Sequence, residues 1–185
     1  MKAIYQRLLI IAAVFAVTLP LLAGKMTEEQ VLAGLDSAKE KDAITALQHF
    51  EEEHFTSAPC LAKVKGLLAD SRPLIREKAA RVLGATHAEV SETDLKNIAA
   101  LLNGTDKRQV MQGLKALRGL KAQSVIPQIL PLLANADDNI KRDACRTLAV
   151  IGDQSAIPSI EPLLQEKNKA VAKDAAEAMA ALKVK

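Results

Sequence analysis

One segment of the chain is repeated directly after itself near the C-terminal end. The segment that begins at Ser124 reads SVIPQILPLLANADD, and the segment that begins at Ser155 reads SAIPSIEPLLQEKNK. The serine, both prolines and the Leu-Leu pair coincide at one constant spacing. A fixed period of about 30 residues is typical of chains built from stacked repeats, so we do not expect a single closed globule.

The same register extends towards the N-terminus, with further Leu-Leu pairs at 101–102 and 67–68. Each unit is predicted to hold two helices, the first of which ends at the Leu-Leu pair. The second helix carries a small and a large apolar residue four positions apart. Four-residue spacing places both on one helix face, where the small residue allows a neighbouring helix to approach closely. The pairs are Ala79/Leu83, Gly113/Leu117, Ala144/Leu148 and Ala175/Met179.

The composition favours helices over strands. Aromatic residues make up 2% of the chain, so its core has to be aliphatic and rich in alanine. No window alternates β-branched residues with polar ones over a strand's length. The predicted fold class is therefore all-α, an α-solenoid of stacked antiparallel helix pairs.

The first 24 residues differ from the rest of the chain. Lys2 and Arg7 precede an apolar run from Leu8 to Ala23, which contains Pro20. This layout predicts a signal peptide over residues 1–24 and hence an exported protein, periplasmic or secreted. The run is shorter than the roughly 20 residues of a membrane span, although an uncleaved anchor in the inner membrane, with the protein facing outside, remains the alternative.

Two further regions follow the predicted leader. Residues 25–59 are predicted to form N-terminal capping helices and a connection, beginning with a capping box at Thr27 and Gln30. Residues 60–185 are predicted to form about four repeats. Pro131 and Pro162 should kink the first helix of the last two repeats. The predicted starts of further helices are Pro73, Ser91, Thr105, Ser124 and Ser155, and Asn103-Gly104 and Gly119 are predicted helix ends.

Two cysteines in an exported protein raise the question of a disulfide. Cys60 opens the first repeat, whereas Cys145 lies in the second helix of the third. Stacked helices separated by roughly 8–10 Å each would keep the two α-carbons farther apart than a bridge allows. We predict that both thiols are free and that Cys145 is a small core residue.

One phrase of the repeat is diagnostic. Residues 137–153 read DDNIKRDACRTLAVIGD, and a similar phrase, IREKAARVLG, occupies residues 75–84. This phrase resembles the HEAT-like repeat of the phycobilisome-lyase type. The resemblance implies a curved stack of helix pairs whose second helices line a concave surface. Repeat two departs from it, with Val110 and Gly113 where the others carry a cation and alanine. Folds of this kind serve many functions, so the resemblance specifies fold more than function.

The function predicted from these features is binding without catalysis. The chain after the leader holds 23 lysine and arginine residues against 22 aspartate and glutamate residues, and it has few aromatics, so we expect no nucleic-acid partner. None of the three histidines precedes a glutamate, so the His-Glu di-iron site of hydroxylase relatives is not implied. His49 and Glu53 are four residues apart but lack a third ligand. We expect no metal, no cofactor and no catalytic residue.

The leading interpretation is an exported scaffold or adaptor that binds a protein partner on its concave face. The alternatives are a lyase- or hydroxylase-related enzyme of the same family and a structural subunit of an envelope complex. Cys145 would be a candidate nucleophile only if it were exposed. Contact with a membrane is expected only through an uncleaved N-terminal segment.

The candidate binding residues form a column. Arg81, Lys115 and Arg146 stand two positions after the small core residue of three consecutive repeats. At 100° per residue this position is turned about 200° from the core. The fourth repeat carries Glu177 there. We hypothesise that the column binds an acidic partner surface or an anionic polymer, with Arg76, Arg108 and Arg142 lying nearby.

Overall fold

The structure is a computed structural model that describes residues 25–53, 55 and 57–184. Every regular element among these residues is helical, so the predicted all-α class is confirmed. The chain divides into two compact units, the first ending at Val64 and the second beginning at Lys65. The predicted leader lies outside the described residues, and the predicted domain boundaries stay predictions.

Two helices pack together in the first unit, α1 (Glu28–Leu35) and α2 (Glu40–Glu53). The predicted capping box is confirmed: Thr27 Oγ1 accepts from the backbone N–H of Gln30, and the Gln30 side chain accepts from the backbone N–H of Thr27. Helix α3 (Ala58–Gly66) follows and contains the boundary between the units.

The second unit is an array of helix pairs. The second helix of each pair is long, and consecutive second helices pack against each other along the array. We call α4, α6, α8 and α10 the second helices. The bounds are α4 (Pro73–Ala85), α5 (Glu92–Ala99), α6 (Lys107–Gly119), α7 (Ile126–Ile129), α8 (Asp138–Ile151), α9 (Ile157–Ile160) and α10 (Lys169–Lys183). Short 3₁₀ segments span Leu67–Ala69, Ala100–Asn103, Gln123–Val125, Leu130–Ala134, Gln154–Ala156 and Glu161–Gln165.

The first helices end as 3₁₀ segments that contain the Leu-Leu pairs. In the last two repeats the α-helical part is only one turn, and the 3₁₀ segment starts at the residue before Pro131 or Pro162. Proline has no N–H to donate and its ring clashes with the carbonyl four residues earlier, so the α-helix cannot continue through it. The two predicted kinks are thus changes of helix type.

The core positions predicted from the repeat are confirmed. All four small residues, Ala79, Gly113, Ala144 and Ala175, are buried. Three of the four large ones, including Leu148, have no exposed surface, and Met179 of the last repeat retains 8%. The predicted register therefore describes the packing of the second unit.

The second helices α4 and α6 come into close backbone contact at Gly84 and Gly119, two glycines that the repeat pattern did not identify as contact positions. A Cβ atom placed on Gly119 would overlap the carbonyl oxygen of Gly84, and one placed on Gly84 would reach within 2.5 Å of the Ala116 Cα. At Gly113, by contrast, an added Cβ would meet Leu101 and Leu102 of the same repeat's first helix. The small residues thus serve two different interfaces.

Most predicted helix ends are confirmed, but three predicted caps were wrong. Ser91 forms a capping box with Asp94, and α6 ends at Gly119 as predicted. Ser124 and Ser155, however, lie inside 3₁₀ segments, and Asp153 caps the segment that contains Ser155. The cap of α6 is Asp106, whose carboxylate accepts from the N–H of Arg108, instead of Thr105.

Candidate functional site

Positive charge is concentrated on the second helices. These four helices hold thirteen lysine and arginine residues against five aspartate and glutamate residues. Three of the five acids, Glu77, Asp143 and Asp174, are buried. Residues 25–64, in contrast, hold four lysines against eight acids. The outward side of the second helices, which we call the basic face, therefore presents cations with few exposed acids among them.

The three residues of the predicted column differ in their surroundings. Lys115 and Arg146 are exposed, whereas Arg81 is half-buried. Lys115 forms no ion pair with any other residue that the structure describes. Arg118, one turn further along α6, likewise has no ion pair within the described ranges. These two cations are accordingly available for an external anion.

Arg146 belongs instead to a cluster within the chain. Its guanidinium lies 3.2 Å from Oδ2 of Asp174 on the next second helix. Arg142 donates from Nε to the same oxygen at 2.7 Å. Asp143 completes this group, which we call the Asp174 cluster, at 3.7 Å from Arg146. The two arginines thus join α8 to α10.

The other two candidates also have internal partners. Arg108 lies 3.3 Å from the carboxylate of Glu77, which is 4% exposed. Arg76 donates from Nη1 to the backbone oxygens of Asp70 and Ser71, at 2.7 and 3.1 Å. Much of the predicted cationic surface therefore also holds the repeats together, which the column alone did not indicate.

The buried acids are the residues that the sequence prediction missed. Asp143 and Asp174 each stand one position before the small core residue, so their spacing equals the repeat period. Burial of a carboxylate requires a paired cation. The sequence thus contained a signal three positions before the column of cations. The two arginines that pair with Asp174, Arg142 and Arg146, lie on the second helix of the preceding repeat.

A second set of ion pairs links the turns that precede the second helices. Lys141 Nζ bridges Asp138 at 2.8 Å and Glu166 at 2.7 Å, and these two hydrogen bonds raise the pKa of the lysine. Lys107 lies 2.8 Å from Asp137, and its hydrogen bond to that carboxylate lowers the pKa of Asp137 to about 2. The Lys141–Glu166 pair and the Lys107–Asp137 pair each connect two neighbouring repeats.

The two cysteines are free, and Cys145 is buried, as predicted; Cys60 is buried as well. Burial raises the pKa of Cys145 to about 12, with a further contribution from the negative charge of Asp174. A thiol with this pKa is almost entirely protonated at neutral pH, and only the thiolate is a strong nucleophile. Cys145 was a candidate nucleophile only if it were exposed, and the structure shows that it is buried.

The described part of the chain offers neither a metal-binding cluster nor a membrane-spanning helix. No group of three or more histidine, cysteine, aspartate or glutamate side chains that could hold a metal ion occurs there. None of the described helices combines the length and apolar character needed to cross a membrane.

Comparison with known proteins agrees with this architecture. The family model described as HEAT repeats matches residues 95–181. The fold is a HEAT-repeat fold. The structure is similar to that of the CpcE–CpcF complex of phycocyanin lyase from Nostoc sp., with a TM-score of 0.73 and 21% identity over 91% of this chain and 70% of that one.

Designed proteins share the fold as well. An engineered protein superposes with a TM-score of 0.68 and 20% identity over 85% of this chain and 80% of its own. A designed armadillo repeat protein gives a TM-score of 0.62 and 21% identity, covering 82% of this chain and 80% of that chain. Comparison with curated proteins finds no match. At these identities the likeness concerns the fold alone.

Proposed function

We propose that this protein is an exported, non-catalytic adaptor that binds an acidic protein partner on the basic face of its second helices. The observation that carries the proposal is the charge distribution, with thirteen cations against five acids on these helices and three of those acids buried. A face of one sign speeds the encounter with a partner of opposite sign and disfavours others.

Helix α6 is the centre of this face. It carries Lys107, Arg108, Lys115 and Arg118 and no acidic residue. Because Lys115 and Arg118 have no ion pair in the described part of the chain, a partner that binds them would break no ion pair there. Arg142 and Arg146 are held by a buried carboxylate, so they contribute positive potential from fixed positions.

The similar structure from Nostoc provides a precedent for assembly. There, CpcE is found in a complex with a second chain, CpcF. A role for the present chain as one component of a two-protein complex is consistent with an extended repeat surface. Export rests on the layout of residues 1–24 alone. An intact mass that matches a chain starting near Gly24 or Lys25 would support it.

The test is charge reversal on α6 with a matched control. A partner purified by affinity capture from the envelope fraction should bind the double variant Lys115→Glu, Arg118→Glu at least tenfold more weakly at low salt. The control carries Lys96→Glu and Lys121→Glu, which are exposed cations that lie outside the second helices. An equal loss in the control, or no loss in the α6 variant, would contradict the proposal.

A further inference from the structure

The turns before the second helices share one backbone conformation but not one side chain. Two positions after each Leu-Leu pair stand Asp70, Gly104, Asn135 and Glu166. Gly104 has φ −70° and ψ 151°, and Glu166 has φ −61° and ψ 141°. These angles suit any residue, so the backbone does not require glycine at 104.

The side chain at this position has a defined role at the end of the array. Glu166 accepts a hydrogen bond from Lys141 of the preceding repeat at 2.7 Å. Lys141 stands three positions before the small core residue of its repeat, and Arg76 stands at the same position in the first repeat. In the repeat that follows Arg76, the position equivalent to Glu166 is occupied by Gly104. Arg76 therefore faces a position where its own chain supplies no carboxylate.

A groove of about 370 Å³ lies at this position. Its lining includes Arg76, Gly104 and the three amide side chains of Asn97, Asn103 and Gln109. Arg76 uses Nη1 for two backbone oxygens and makes no ion pair within the described residues. An arginine has five N–H donors, so further donors of Arg76 remain for a ligand.

The two acids next to lining residues in the sequence are already occupied, Glu77 by Arg108 and Asp70 by Arg72. Asp70 accepts from Arg72 Nε at 2.8 Å and from Nη2 at 2.7 Å, and these hydrogen bonds are the main reason that its pKa is lowered. Arg76 contributes a smaller electrostatic share to the same shift. The positive charge of Arg76 is thus only partly offset at the groove.

We propose that this groove binds a carboxylate side chain of a protein partner, with Arg76 as the charged contact and the three amides as further donors. The carboxylate takes the place that Glu166 holds beside Lys141. This inference rests on the proposed function, since it names a specific contact for an acidic partner. Charge-assisted hydrogen bonds in a part-enclosed groove are stronger and less screened by salt than contacts on an open surface.

The probe is a triglutamate peptide, followed at low salt through NMR signals of the side-chain amides and arginine Nε–H groups. We expect the signals of Arg76, Asn97, Asn103 and Gln109 to shift on titration. Arg76→Gln should weaken this binding at least fivefold. Gly104→Glu should do the same, because it places an internal carboxylate beside Arg76 and because its Cβ displaces the side chain of Gln109 from the groove. Lys121→Gln, which changes an exposed cation outside the second helices and outside the groove, should leave it within twofold.

The outcomes separate this inference from the proposed function. A shift confined to the Nε–H signal of Arg118 would overturn the groove as a carboxylate site and leave the basic face standing. Undiminished binding by the Gly104→Glu variant, with its backbone spectrum intact, would overturn the inference as well. An absence of any shift at these four side chains would have the same meaning. Equal shifts with trilysine would show that the groove does not select carboxylates.

Discussion

Arg142 on α8 donates a hydrogen bond from Nε to Oδ2 of Asp174 on α10, with 2.7 Å between the two atoms. The carboxylate is 5% exposed, and Arg146 binds it from a second side at 3.2 Å. Removal of one partner from a buried ion pair leaves the other charge uncompensated, which typically costs about 3–5 kcal/mol. Both arginines are partly exposed and can be rehydrated, so a smaller loss is expected here.

We therefore predict that Asp174→Asn lowers the free energy of unfolding by about 2–3 kcal/mol. Urea denaturation of the purified protein measures it. Glu177→Gln on the same helix serves as control, because Glu177 is exposed and its only ion pair among the described residues is with Lys173 at 3.7 Å. A loss for Asp174→Asn no larger than that of the control would show that the cluster does not hold α10.

The interface between the second and third repeats lacks one of the two arginines found in the Asp174 cluster. Asp143 corresponds to Asp174, and the position that corresponds to Arg142 is Met111. Oδ2 of Asp143 is buried and has no hydrogen-bond partner within the described part of the chain. Met111→Arg should supply that partner and raise the free energy of unfolding by about 1 kcal/mol. Met111→Leu is the matched control, and destabilisation by the arginine alone would contradict the equivalence of the two interfaces.

Leu148 fills the large core position of the third repeat and has no exposed surface. Leu148→Ala should cost about 2–5 kcal/mol, because it removes buried apolar surface and leaves a cavity. Val150 on the same helix is 46% exposed, so Val150→Ala should change stability by less than about 0.5 kcal/mol. Reversible denaturation compares the two, and similar small losses would mean that the repeat register does not describe the core.

Two glycines in helices should respond to alanine in opposite directions. Gly119→Ala should destabilise the protein, because its new Cβ would overlap the backbone of Gly84. Gly66→Ala should stabilise it by about 0.5–1 kcal/mol, since a Cβ there meets nothing within 4 Å and alanine favours the helix. Melting temperatures of the two variants decide the matter. A gain in both would disprove the close contact between α4 and α6.

The ion pair of Lys107 and Asp137 should make stability depend on acid. The pKa of Asp137 is lowered to about 2 from an ordinary value of 3.8. A carboxylate with a depressed pKa in the folded state stabilises the protein above its ordinary pKa, and this contribution disappears as the pH falls from about 4 to about 2. Lys107→Gln should thus lower the melting temperature at pH 6 and have a smaller effect at pH 2. Lys96→Gln, which breaks no pair, should show no such convergence.

The periodic part of the fold was predictable because each repeat meets nearly the same neighbours. Ala144 and Leu148 are buried for the same reason as Ala79 and Leu83, and their spacing alone revealed it. The Ser124 and Ser155 caps were wrong because 3₁₀ segments stand in place of the expected first α-helical turns, and both serines lie inside them. Asp153, one position before the second of these segments, caps it instead.

The binding residues were harder to predict for a different physical reason. The column of Arg81, Lys115 and Arg146 looks uniform in the sequence, but the three residues meet different side chains on the following helix. Arg146 meets Asp174, whereas Lys115 has no ion pair in the described ranges. The glycine contact at Gly84 and Gly119 likewise depends on where two helices cross. Contacts of this kind depend on the side chains of the neighbouring repeat, which the pattern within one repeat does not reveal.

The burial of Cys145 gives the protein a built-in reporter of local opening. The thiol lies on α8 with no exposed surface, and the corresponding residue of the last repeat, Ala176, is exposed because no described helix follows it. The next repeat is what covers Cys145. An alkylating reagent can reach this sulfur only when α10 moves away from α8, so the rate of labelling measures how often the last repeat detaches while the remainder stays folded.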